Sequence, residues 1–262
     1  MRIVPRRFRF ATALLLARVT IPLFRSTAAY REQWIKNFHR PDEIVLYLML
    51  NALAKNGTRF DLEIAVTGYQ HFERAYAKGK GVLVTGHHAA LTLLMIRFFY
   101  DQGFEPVVIT PDDGLRVPGT SVVAETIQPS PVFLVQLRNK LRAGKLVCAM
   151  PDRAEHHAGR TIEFATPAGA VIVAPAIIEV AARSVAEVLF TEVRVARGRL
   201  VATIAAPATS SAGVAPALIA DFISFVRDCT SPTAAHALTS RTNTKSRDRF
   251  LSFAARRRCR LD

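Results

Sequence analysis

An α/β fold, with a mostly parallel central sheet flanked by helices, is what this sequence predicts, and three observations predict it. Short apolar runs such as Val82-Leu-Val84 and Leu146–Met150 are bounded by glycine or proline and lack polar alternation, as strands buried on both faces do. Segments of helical period lie between them, giving the strand–helix–strand order that builds a parallel sheet. Half of the 262 residues are apolar, which is enough for one sizeable core.

Met1–Arg25 sets Arg2, Arg6, Arg7 and Arg9 ahead of the apolar Phe10–Ala17, and Arg18 and Pro22 then interrupt the run. No small-residue cleavage site follows, and the central charge spoils a spanning helix. The stretch therefore reads as an N-terminal membrane-associating helix lying at the interface, its basic residues against anionic headgroups. The same pattern suits an ordinary helix packed on the domain. Residues 26–230 form the α/β domain. Trp34, Phe38, Ile44, Leu46, Tyr47, Leu50 and Leu53 keep a helical spacing, with a break at Arg40-Pro41-Asp42 and an end at Asn56-Gly57. Phe60–Val66 predicts a strand, and Gly68–Ala77 a short helix that is amphipathic through Phe72 and Tyr76.

The rest of the chain is arranged around Gly81–Leu94. A buried strand, Val82–Val84, breaks at Gly86 and runs into an apolar helix expected from Ala89 to Phe99, which leaves His87 and His88 at the junction. The unpaired N–H groups of a helix start favour developing negative charge, so a base held there can act on a bound hydroxyl. A histidine in such a loop can equally be structural. Phe104–Thr110 is a second buried strand, and its loop places Asp112 and Asp113 at the same sheet end as His87, in a Pro-Asp-Asp-Gly sequence that also makes an ordinary turn.

Ser130–Ala143 reads as a basic amphipathic helix, with Phe133, Leu134, Leu137 and Leu141 on one face and Gly144 as its cap. Leu146–Met150, the third strand, delivers Pro151-Asp152-Arg153-Ala-Glu155 to the sheet end. His156 and His157 follow in a polar loop before Thr161-Ile-Glu-Phe164 and lack the third ligand that a metal site needs. Ala170–Arg183 reads as an alanine-rich helix, Glu187–Val195 and Leu200–Ala205 as strands joined at Arg197-Gly198, and Pro216–Cys229 as a last helix. Residues 231–262 make a basic C-terminal segment.

Lys and Arg number 35 against 21 Asp and Glu, a net charge of +14 that suits an anionic partner. Aromatic and basic residues are not interleaved, and no nucleic-acid-binding signature is present, so an anionic membrane surface is the expected partner rather than nucleic acid. Cys148, Cys229 and Cys259 are odd in number and widely spaced, which indicates neither a disulfide framework nor a metal site.

Gly81-Val-Leu-Val-Thr-Gly-His87, with Leu93-Leu94 beyond five intervening residues, is similar to the motif region of the lipid A biosynthesis (lauroyl/myristoyl) acyltransferases, within the lysophospholipid acyltransferase superfamily. Their His-x4-Asp/Glu motif aligns its histidine with His87 and its acid with Thr92. Gly144–Arg153 and Phe164-Ala-Thr-Pro-Ala-Gly169 resemble a second motif region, and Gly68-Tyr-Gln-His-Phe72 the element before the first. The likeness spans roughly residues 60–207.

The resemblance implies a glycerolphosphate-acyltransferase-like fold on the cytoplasmic face of an inner membrane. It also implies transfer of a fatty acyl group from an acyl carrier protein or coenzyme A thioester to a hydroxyl of a lipid acceptor, lipid A-like or a lysophospholipid. His87 would be the general base and Thr92 a neutral hydrogen-bonding substitute for the motif acid. Asp152, or else Glu155, would supply the missing charge; an acid just past a strand also serves as a cap or ion-pair member. Arg153 and Arg160 would contact phosphate, with His88 and Glu155 lining the same substrate site, and no metal or resident cofactor is called for. Because a threonine brings no charge to stabilise an imidazolium, the rival reading is a lapsed enzyme that binds lipid or a partner at the membrane. A second rival is a peripheral scaffold working through its basic termini.

Overall fold

A computed structural model describes residues 9–25, 41–55, 62–87, 89–111, 114–152, 159–167, 169–208 and 214–231. Among the described residues, the helices α1 (Arg9–Arg25) and α2 (Pro41–Lys55) come first. They are followed by β1 (Ile64–Thr67), α3 (Tyr69–Ala77), β2 (Val82–Thr85), α4 (Leu94–Asp101), β3 (Val107–Ile109) and β4 (Glu125–Ile127). Next come α5 (Phe133–Arg142), β5 (Leu146–Ala149), and the hairpin of β6 (Ile162–Thr166) and β7 (Gly169–Val173). The chain then runs through α6 (Ala176–Arg183), β8 (Glu187–Ala196), β9 (Arg199–Ala205) and α7 (Ala215–Thr230).

The central sheet has seven strands in the order β1-β9-β8-β2-β5-β3-β4, and every pairing in it is parallel except β8 with β9. The α/β class and the mostly parallel sheet are thus as expected. Period-two alternation divides its side chains between two apolar layers. Val82, Val84, Leu146, Cys148, Leu189 and Val193 face a first layer with α1 to α4, through residues such as Leu14, Leu46, Phe72 and Phe99. Leu83, Val147, Ala149, Val188 and Phe190 face a second layer with α5, α6 and α7, through Leu137, Ile177 and Phe222. Aromatic rings pack in both layers, Phe72 tilted against Phe99 at 4.8 Å and Phe190 edge-on to Phe222 at 5.6 Å.

Three expectations are corrected. The helix after the motif begins at Leu94, not Ala89, because residues 89–93 are taken up in tight turns. Ala89 N–H bonds the His87 carbonyl at 2.7 Å, and Thr92 and Leu94 bond the carbonyls of Ala89 and Leu91 at 3.1 and 2.9 Å. Ala170–Arg183 is not one helix: Gly169–Val173 is a strand paired with β6, where β-branched Val171, Ile172 and Val173 favour extension, and α6 starts only after Pro175. Finally, β4 was not anticipated; three residues give no period to read.

Helix α1 packs on the domain through Ala13, Leu14 and Ala17, while Leu15, Leu16 and Val19 face outward beside exposed Arg18. Among the described residues, no helix is long and apolar enough to cross a membrane.

Candidate functional site

Strands β2 and β5 are adjacent and parallel, with Thr85 opposite Ala149. Beyond Thr85 the chain leaves toward α4 in the first layer; beyond Ala149 it leaves toward the hairpin and α6 in the second. Outgoing connections that part to opposite faces open a crevice between them, and in open α/β sheets ligands bind at such a point. His87 lies two residues past the end of β2 and Asp152 three past the end of β5, so the expected base and the expected acid both follow the C-terminal ends of these adjacent strands. Their Nδ1 and Oδ1 atoms are both buried. The Pro151 carbonyl accepts a bond from Ala174 N–H at 2.6 Å, which ties the hairpin to the Asp152 lip.

Gly86 sets the position of the other lip. A Cβ there would lie 2.3 Å from the Thr191 carbonyl oxygen on β8 and 3.1 Å from Thr92 Cγ2, so the loop sits flush against β8 and only glycine fits. This contact also places Thr92. Its side chain is buried next to Gly86, ahead of α4, where the Thr92 carbonyl accepts Met95 N–H at 3.0 Å. The Thr92 hydroxyl is buried and makes no hydrogen bond among the described residues.

Arg160, just ahead of β6, is exposed, and its Nη2 lies 3.4 Å from Glu179 Oε1 on α6. His88, Arg153 and Glu155 lie outside the described residues, as do Asp112, Asp113, His156, His157, residues 1–8 and 26–40, and the basic segment from residue 232 on.

Sequence reading missed the polar residues on the other side of His87. Thr85 at the tip of β2 is fully buried, and β8 runs buried from Val188 to Arg194 even though Thr191, Glu192 and Arg194 lie within it. Two charged residues inside a strand covered on both faces are the signal that could have found them. Like that of Thr92, the Thr85 and Thr191 hydroxyls have no hydrogen-bond partner among the described residues. No group of three His, Cys, Asp or Glu among the described residues is placed to hold a metal ion.

Compared with the models of known protein families and with the curated proteins, the chain matches none.

Proposed function

We propose that this protein is an O-acyltransferase that moves a fatty acyl group from an acyl thioester to a hydroxyl of a lipid acceptor at a membrane surface. What supports the reading is that His87 and Asp152 follow the C-terminal ends of two adjacent parallel strands whose outgoing connections part to opposite layers. In this reading His87 takes the proton of the acceptor hydroxyl as that oxygen attacks the thioester carbonyl. The thiolate then leaves and takes up a proton. Asp152 stabilises the imidazolium, because the Thr92 hydroxyl brings no charge and, against the sequence expectation, has no hydrogen-bond partner among the described residues. The outward apolar face of α1, with Leu15 at 63% and Val19 at 67% exposure beside Arg18, suits contact with an anionic leaflet, and the +14 charge suits an acidic carrier or a phosphorylated thioester donor.

The missing motif acid favours one competing reading, a domain that keeps the crevice but only binds an acyl lipid. Acyl transfer measured with carrier-protein and coenzyme A thioesters on lipid acceptors separates the two. Turnover by the wild type that His87→Ala abolishes and Asp152→Asn sharply lowers supports the enzyme. A wild type that binds lipid without turnover, together with activity gained by Thr92→Glu, overturns it.

A further inference from the structure

The β2–β8 register carries an inference about a residue that no motif marks. Thr85 pairs with Phe190, and the press of the Thr191 carbonyl on Gly86 shows that β8 stays alongside the chain past the end of β2. One residue on from that contact, Glu192 follows Thr191 on β8 as His87 follows Gly86. By alternation Glu192 shares the face of Val188 and Phe190, the same face to which the chain departs after Asp152. Its side chain is 2% exposed, and a carboxylate is buried so completely only against donors or positive charge.

We infer that Glu192 is a positioning residue for His87: its carboxylate, brought from the neighbouring strand by register, takes over the charge-balancing task that the chain lacks at position 92. His87 then lies between two acids, Asp152 from the β5 side and Glu192 from the β8 side. Two other charged groups lie on or against β8 beyond Glu192. Arg194 lies two residues farther along the Glu192 face and is also buried, and Glu43 of α2 accepts Val195 N–H at its Oε1 at 2.8 Å. The alternative role for Glu192 is a structural ion pair with Arg194 alone, which would leave the histidine indifferent to it.

The inference rests on reading His87 as the base, but its test needs no substrate. In full-length protein labelled with 15N-histidine, the His87 ring is assigned by its loss in His87→Gln and titrated by two-bond 1H–15N NMR in wild type, Glu192→Gln and Glu192→Asp. Removing a nearby anion destabilises the imidazolium, so the midpoint should fall by about 1–2 pH units in Glu192→Gln and by less in Glu192→Asp. A midpoint unchanged in a folded Glu192→Gln overturns the inference and leaves Glu192 in its structural pair. Should Glu192→Gln not fold, the wild type carries the test. The Glu192 carboxyl 13C shift should then show an inflection at the His87 midpoint that disappears in His87→Gln, and its absence counts against the inference. A shifted midpoint without acyl transfer would sustain the Glu192–His87 coupling while removing the enzymatic reading. Acyl transfer with an unshifted midpoint would do the reverse.

Discussion

The two ends of the parallel strands are built differently. At the N-terminal ends, backbone groups satisfy one another: Val82 N–H bonds the Lys145 carbonyl and Glu187 N–H the Gly81 carbonyl, both at 3.1 Å. Gly81, at φ 54°, sits so close to the Leu141 carbonyl that a Cβ would lie 2.1 Å from it. At the C-terminal ends the same strands close on Thr85, Thr191, Asp152 and the His87 loop, and the threonine hydroxyls are buried without a partner among the described residues. A buried polar group left unsatisfied costs ~1–3 kcal/mol. The first end is therefore where the fold is secured; the second gives up stability to hold polar groups away from water, as functional sites do.

The sharpest way to break this contrast is to disturb the secured end. Gly81→Ala forces a side chain into a left-handed backbone position and against a carbonyl, and should cost ~3 kcal/mol or more in denaturant unfolding. A loss below ~1 kcal/mol would show that the N-terminal end can give way. His87→Ala should do the opposite, removing turnover by a factor of ~100 or more while leaving the unfolding free energy within about 1 kcal/mol of wild type. Equal damage to activity and stability would merge the two ends into one.

Between the ends, Cys148 faces the first layer and burial pushes its thiol from 9.0 up to about 12. The unfolded thiol ionises first as pH rises, so its contribution is fully present below pH ~9 and is lost as pH climbs toward ~12. Unfolding at pH 8 and 10 should show Cys148→Ala losing less stability over that interval than wild type, by on the order of 1 kcal/mol. Parallel slopes would mean that the thiol is not held protonated. At the site end, Thr191→Val removes an unpartnered hydroxyl at nearly constant shape and should raise stability by ~1 kcal/mol in urea unfolding; a loss instead would reveal a partner for that hydroxyl. The smallest effect belongs to the Lys78–Glu187 ion pair at 2.9 Å, where Lys78→Ala should cost no more than ~0.5 kcal/mol because both groups are partly exposed and screened.

The sequence and the structure agree where local chemistry decides. Val82–Val84 and Leu146–Ala149 are apolar because both of their faces are covered, and Gly144 ends its helix with φ 75°. His87 and Asp152 could be singled out because each follows such a run directly. The misread parts depend on pairing between segments. Gly169–Val173 extends by pairing with β6 just before it, and β8 comes to lie beside β2 from about 100 residues along the chain. A linear pattern carries no register, so neither the pairing of β8 with β2 nor the Thr191 carbonyl against Gly86 could be seen in it.

That insertion has a consequence for the order in which the molecule comes into being. Val82, in the middle of the sheet, pairs with Leu146 on one side and Glu187 on the other, and both partners are synthesised long after it. Closing such distant loops is the slow part of building a sheet. During synthesis β2 is thus an apolar strand with two open edges, and the polar wall that β8 brings to its tip is in place only when β8 slides in beside it.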